Sequence, residues 1–371
     1  MPRVRRTVAV LAVVLAAAAC TGDGDADPAG RSGPDGGPAL LGTVDLDAAV
    51  GGDARLLDLA APPGGDPVAL LGDGGTRGWL VRVGSGEDGP TATTLLELPA
   101  VGDDAELTVL ADGSFLVANT SPTTGYQLLT VRPDGQATVT TLGVRPERAA
   151  TALSNDGRAL YAALTLPDAG PAQLLAVDLA AGVVSRTAPV APGGTVTALA
   201  TRPDGGLAAL VDSGGRALLT TYGADLRPVG EPVDLAPDAP VGVPADVDVT
   251  ADGTVVATLH ASDGRELGRL VTVVDGAVAT SVELDGVGDS ALAVAVSPDG
   301  GTAWVPQADL SFPAQLVTVD LATGERVSEV SLCAGAAVLG DVAPLDGDAG
   351  LVATGSCVDG DGPQATAFLV G

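Results

Sequence analysis

Apolar and polar positions alternate in short blocks along most of this chain, and the blocks return at a fixed interval. Each consists of two apolar runs about four to eight residues long, the length expected of buried strands, joined by a turn sequence. Val294-Ala-Val-Ser-Pro-Asp-Gly-Gly-Thr-Ala-Trp-Val305 is one example. The turn itself is Asp-Gly at Asp112, Asp156, Asp204, Asp252, Asp299 and Asp346, with intervals of 44, 48, 48, 47 and 47 residues. Asp-Gly supplies the positive φ that two-residue hairpin turns require. Within one period the pattern predicts four strands: Glu106–Leu110, Phe115–Ala118, Gln127–Val131 and Thr138–Leu142 in the best-resolved unit. A degenerate earlier unit begins near Asp66, with strands at Val68–Leu71, Trp79–Val83 and Thr93–Leu98.

Seven units of four short strands are the signature of an all-β, seven-bladed β-propeller of four-stranded antiparallel blades. The last unit ends after Thr366–Val370, its third strand, and so lacks a fourth. Leu40–Leu46 stands before the first inner strand without a partner. Placing this N-terminal segment as the outer strand of blade 7 closes the ring and covers two edges that would otherwise invite aggregation. The propeller domain is therefore expected over 39–371.

The first residues carry a different pattern. Arg3, Arg5 and Arg6 precede the apolar run Val8–Ala19, which is too short to span a bilayer but suits a secretory signal peptide over 1–19. Its end, Ala17-Ala-Ala-Cys20, resembles the lipobox of bacterial lipoproteins, although the usual leucine is replaced by Ala17. That resemblance implies acylation of Cys20, attachment to a membrane, and residence at the outer face of the cytoplasmic membrane. Residues 20–38 are mostly Gly, Asp, Ser, Pro and Ala, a composition that predicts a disordered acidic tether.

Composition narrows the function. The net charge is −29, from 47 acidic and 18 basic residues, and every basic residue is Arg. No basic patch is available to displace counterions from phosphates, so nucleic acid is excluded as a partner. Lysine chemistry is excluded with it. A single histidine, His260, rules out a multi-histidine metal or catalytic centre within one chain. Aromatics make up only 2%, so Trp79, Trp304 and Tyr126 are read as blade packing. No G-x-S-x-G, P-loop or H-E-x-x-H motif occurs.

Ser297-Pro-Asp-Gly300, followed by Val319-Asp-Leu-Ala-Thr-Gly324, resembles the repeat of YVTN and WD-repeat-like bacterial propellers. The resemblance covers roughly residues 40–371 and implies architecture more than activity, because such propellers include binding scaffolds and lactonases. Cys333 and Cys357 fall on one face of this ring, the face of the d-to-a and b-to-c loops, where a disulfide would clamp the last blade. Two buried thiols or a redox pair are the alternatives, although there is no Cys-x-x-Cys spacing.

Ligands are expected at the channel mouth on that face, among residues leading into the inner strands. Those residues are Asp103, Asp104, Glu106, Arg145, Arg148, Asp246, Asp248, Asp285, Asp289 and Asp341. Asp246, Asp289 and Asp341, from successive blades, could converge on a cation such as Ca²⁺, since hard oxygen ligands suit hard cations. No other cofactor is expected. The b-to-c loops add His260, Asp263, Arg265 and Asp309 as ligand-face candidates. The expectation is a monomeric, lipid-anchored, non-catalytic binding or scaffold module for a protein or cell-envelope ligand. The alternatives are a metal-dependent, lactonase-like hydrolase and an accessory subunit of an envelope complex.

Overall fold

The computed structural model describes residues 38–371 except 63–64, 75, 87–88, 100, 122–123, 168–170, 192, 238–241, 262–267, 285–291, 310–311, 334–336, 346–349 and 360–361. The signal segment, Cys20 and nearly all of the tether lie outside the described residues, as does the turn at Asp346.

The chain opens with strand β1 (Leu40–Asp45) and a single helical turn, α1 (Leu46–Val50). Blade 1 follows as β2 (Arg55–Ala60), β3 (Val68–Gly72), β4 (Arg77–Gly86) and β5 (Gly89–Pro99). Blade 2 is β6 (Glu106–Val109), β7 (Phe115–Ser121), β8 (Gly125–Val131) and β9 (Ala137–Thr141). Blade 3 is β10 (Arg148–Leu153), β11 (Ala159–Thr165), β12 (Gln173–Asp178) and β13 (Val183–Pro189). Blade 4 is β14 (Thr195–Thr201), β15 (Leu207–Asp212), β16 (Ala217–Tyr222) and a two-residue β17 (Val233–Asp234). Blade 5 is β18 (Gly242–Val249), β19 (Val255–Ala261), β20 (Gly268–Val274) and β21 (Ala277–Leu284). Blade 6 is β22 (Ala295–Val296), β23 (Thr302–Asp309), β24 (Phe312–Asp320) and β25 (Glu325–Ser331). Blade 7 begins with β26 (Ala337–Pro344), β27 (Leu351–Asp359) and β28 (Gly362–Val370).

Each blade is an antiparallel sheet in sequence order, and the seventh is completed by β1, in the order β1-β28-β27-β26. β1 pairs with β28 from Leu40↔Val370 to Asp45↔Thr366. The inner strands β2, β6, β10, β14, β18, β22 and β26 touch in that circular order, and β26 meets β2. The result is a ring of seven blades with its ends joined as expected. Buried Ala, Val and Leu from facing sheets fill the space between blades, for example Leu116, Leu128, Leu160 and Val177 between blades 2 and 3. Burial on both faces explains the near-continuous apolar strands.

Three local expectations change. The closing segment does not stay extended to Leu46. Asp45 accepts the Ala48 N–H as an N-cap, α1 forms, and Gly51 ends it at φ +74°. The recurring Asp-Gly turns are three- or four-residue loops rather than two-residue hairpins: Leu110 N–H bonds Ser114 O across three residues, Ser154 N–H bonds Ala159 O across four, and Gly113 N–H bonds Leu110 O. Only the glycine takes positive φ, at +77° in Gly113, while the Asp112 carboxylate accepts the Ser114 N–H at 2.9 Å. The aspartate recurs because it caps its own loop, and that hydrogen bonding holds the carboxyls of Asp112, Asp156, Asp252 and Asp299 below their usual range. Asp275-Gly276 is a true two-residue turn, with both residues at positive φ. Finally, Cys357 lies within β27 rather than after it, and it sits at disulfide distance from Cys333, with Cα atoms 6.1 Å apart.

Leu46 is 0% exposed and packs among Leu59, Val81, Val352 and Leu369, from blades 1 and 7. Leu46→Ala should cost about 2–5 kcal/mol in urea unfolding, as buried leucine truncations do, whereas Leu41→Ala should cost under about 0.5 kcal/mol. Leu41 makes the contrast because it lies 61% exposed in the same closing strand. Replacing both Cys333 and Cys357 with Ser should lower stability by about 3 kcal/mol, the loop-closure value for a bridge of this span.

Candidate functional site

The inner strands surround a cavity of about 340 Å³ lined by residues of all seven blades. Among the described residues its polar lining consists of Asp58, Glu106, Asp246 and Asp341 with Thr108, Thr151 and Thr197, and no arginine takes part. The remainder is Leu, Ala and one Gly. The acids therefore sit within the wall, on the strands themselves, rather than in the segments leading into them.

β-Bulges shape the wall at Asp58, Asp246 and Asp341, while Glu106 stands in the regular register of β6 with β7. The pairing of β2 with β3 shifts between Leu56 and Asp58, that of β18 with β19 between Pro244 and Val247, and that of β26 with β27 between Leu339 and Val342. A bulge inserts extra residues into one strand and re-aims side chains. In blades 5 and 7 the bulged residues include Asp246 and Asp341. Their displaced N–H groups donate to buried threonines on the next strand, Asp246 to Thr258 Oγ1 at 3.2 Å and Asp341 to Thr354 Oγ1 at 3.3 Å.

Each carboxylate spans two blades or two residues of the wall. Asp246 accepts Val247 N–H at 2.8 Å with Oδ1 and Val294 N–H at 2.8 Å with Oδ2, which ties blade 5 to blade 6. One step down β18, Asp248 repeats the arrangement with Val249 at 2.7 Å and Val296 at 2.9 Å. Asp58 accepts Leu59 N–H and reaches across to Leu107 N–H in blade 2. Glu106 receives the Thr151 hydroxyl of blade 3. Asp341 accepts Val342 N–H at 2.7 Å and bonds to Asp58 across the seam between blades 7 and 1. Outside the channel, Asp47 joins Ala54 N–H to Ala365 N–H and so fastens α1 to β28.

Burial outweighs these hydrogen bonds in the balance of charge. Desolvation pushes Asp58 and Glu106 up to about 7 and Asp246 up to about 8, the last helped by the neighbouring Asp341 charge. Asp248 is raised as well, and Asp341 is raised well above the carboxylate range, first by burial and then by Asp58.

The other anticipated residues are dispersed. Arg145 and Arg148 are exposed around the start of β10, and Asp103 is exposed and pairs with Arg55 at 3.8 Å. His260 is half-buried on β19 opposite Val243. Asp309 ends β23 opposite Phe312. Asp263, Arg265, Asp285 and Asp289 lie outside the described residues. Among the described residues, no three His, Cys, Asp or Glu side chains are grouped to hold a metal ion. Asp58 was missed from the sequence, although its signal is visible as a lone carboxylate in Leu56-Leu-Asp-Leu-Ala60.

No protein-family model matches the chain, and no curated protein matches it. Among solved structures it is similar to the hydrazine synthase of Kuenenia stuttgartiensis, with a TM-score of 0.61 and 15% identity over 80% of this chain and 92% of that chain. It is also similar to the C-terminal WD40 domain of Sif2, with a TM-score of 0.56 and 12% identity over 89% of this chain and 97% of that one. At such identities the likeness is one of fold. The chain is a seven-bladed β-propeller.

Removing a bridging carboxylate should cost more than removing an exposed one, because two wall N–H groups lose their acceptor. Asp248→Ala should destabilise by about 1–3 kcal/mol in denaturant unfolding, with Asp103→Ala within about 0.5 kcal/mol of the parent.

Proposed function

We propose that the protein is a non-catalytic binding or scaffold module, held by a lipid on Cys20 at the outer face of the cytoplasmic membrane, that takes a protein or cell-envelope ligand on its loop-bearing face. The observation that carries this reading is the use made of the channel acids. Asp246 and Asp248 each give both oxygens to main-chain N–H groups of adjacent strands. Carboxylates fixed in this way serve the ring rather than a reaction, since a general base needs its oxygen directed at a substrate proton. The Cys333–Cys357 pair supports an oxidising location outside the cytoplasm. The lipobox-like Ala17-Ala-Ala-Cys20 supports the anchor.

The test uses the full-length protein in intact bacterial cells, followed by labelling with a fatty-acid analogue and by membrane fractionation. The parent should carry label and sediment with membranes, and Cys20→Ser should lose the label and most of the sedimenting fraction. A photo-crosslinker at Arg145, exposed on the loop face, should trap one stoichiometric partner, whereas one at Ala180, exposed in a turn on the opposite face, should not. Equal trapping at both positions, or membrane attachment independent of Cys20, argues against the reading.

A further inference from the structure

Two carboxyl groups meet where the ring closes. Asp341, on β26 of the last blade, is hydrogen-bonded through its side chain to Asp58, on β2 of the first. Two carboxylates have no proton to share, so such a bond requires one partner to remain an acid. The surroundings decide which. Both carboxyls receive main-chain N–H groups, Leu59 and Leu107 at Asp58 and Val342 at Asp341, but Asp341 is held the further above the ordinary carboxylate range. Asp341 is the donor, and burial together with the Asp58 charge keeps its proton in place.

Among the described residues, no cation faces the pair to compensate a second negative charge. β6 turns Glu106 toward Asp58, and β18 turns Asp246 toward Asp341, with Asp248 beside Asp246. Asp104, just before β6, acts in turn on Glu106. The cation on β2, Arg55, is exposed and pairs with exposed Asp103. Ala150 and Thr151 of blade 3, Thr197 to Leu199 of blade 4, and Leu292 and Ala293 of blade 6 complete the wall without charge. β27, which also packs on β2, brings only the disulfide-bonded Cys357 among its described side chains.

We propose that the Asp341–Asp58 pair is a proton-operated clasp between the last and first blades, closed while one proton is shared and released when both carboxyls ionise. On release the proton passes to water, and two like charges are left facing each other in a wall that already holds Glu106 and Asp246. Both carboxyls titrate higher in the folded chain than in the unfolded one. Their contribution is therefore complete below the ordinary carboxylate range; Asp58 ionises at about 7, which leaves the one shared proton, and the clasp is lost at higher pH as Asp341 ionises in turn. The ring does not come apart at once, because β1 stays paired with β28 and Asp47 still fastens α1. The loosening is confined to the contact of β26 with β2.

Hydrogen exchange of the purified protein, read by mass spectrometry at about pH 5, 7 and 9 and corrected for intrinsic exchange, tests this locally. Protection in β2 and β26 should fall by about tenfold or more between the acid and alkaline ends, with β10 and β14 unchanged; a tenfold change corresponds to one pKa unit. Asp341→Asn keeps a donor toward Asp58 and has no proton to lose, so it should flatten the pH dependence. Uniform protection across pH, or an undiminished pH effect in Asp341→Asn, overturns the proposal. Should that variant fail to fold, the infrared carboxylic-acid C=O band decides. A band that persists at neutral pH in a Glu106→Gln, Asp246→Asn, Asp248→Asn background and disappears in alkali supports the clasp, and its absence there at neutral pH refutes it.

Discussion

A ring of blades exists only if its two ends hold, and here they are held by hydrogen bonds between β1 and β28. Without that pairing β28 is an open edge, Leu46 has no pocket, and β26 has no fixed partner in β2. Each further contact at the seam builds on it. Asp47 reaches from α1 to the Ala365 N–H of β28 and the Ala54 N–H ahead of β2, and so connects the closing strand to blade 1. The disulfide then joins the end of blade 6 to the second strand of blade 7. The closing blade is thus secured by backbone pairing within it, a side-chain bridge to blade 1 and a covalent bond to blade 6.

The channel wall applies one device repeatedly. A carboxylate on an inner strand receives the N–H of the following residue and the N–H of the neighbouring blade, as in Asp58, Asp246 and Asp248. Seven sheets meeting around an axis cannot pair their inner strands as a continuous sheet, so wall N–H groups face one another across gaps. A short acidic side chain spans such a gap with an acceptor at each end and so satisfies two wall N–H groups that would be costly to bury unpaired. The consequence is a cavity lined by carboxyls that hold their protons above the ordinary carboxylate range. The acidity of the channel is in the first instance a structural requirement.

How much of this could be read from the residues differs between elements for physical reasons. The blade count was legible because every Asp-Gly loop needs a left-handed residue at a fixed place, and glycine marks it. The closing strand was legible by subtraction, as an apolar segment lacking a partner beside a blade lacking a strand. The bulges that carry Asp246 and Asp341 into the wall leave no trace in an apolar pattern, because one or two added residues do not disturb the period. Asp58 was hidden by the irregular first blade, where no Asp-Gly loop marks the register. α1 is too short for a helical period, and only its ends, Asp45 and Gly51, announce it. The bridging itself depends on strands about one repeat apart lying side by side, a relation that appears only once the ring is assembled.

The order in which the chain is made gives the closing strand a further meaning. Asp47 and Ala365, which touch in the finished ring, are separated by 318 residues, so the strand that begins the ring must wait for the one that completes it. Contacts of such long sequence separation form late and slowly, because a very large loop has to close first. Until then both β28 and the faces of blades 1 and 7 stand open to pairing with other chains. Any process that delivers this polypeptide from its amino end therefore releases six nearly finished modules and a waiting strand, and the molecule becomes one cooperative body only when its final residues arrive.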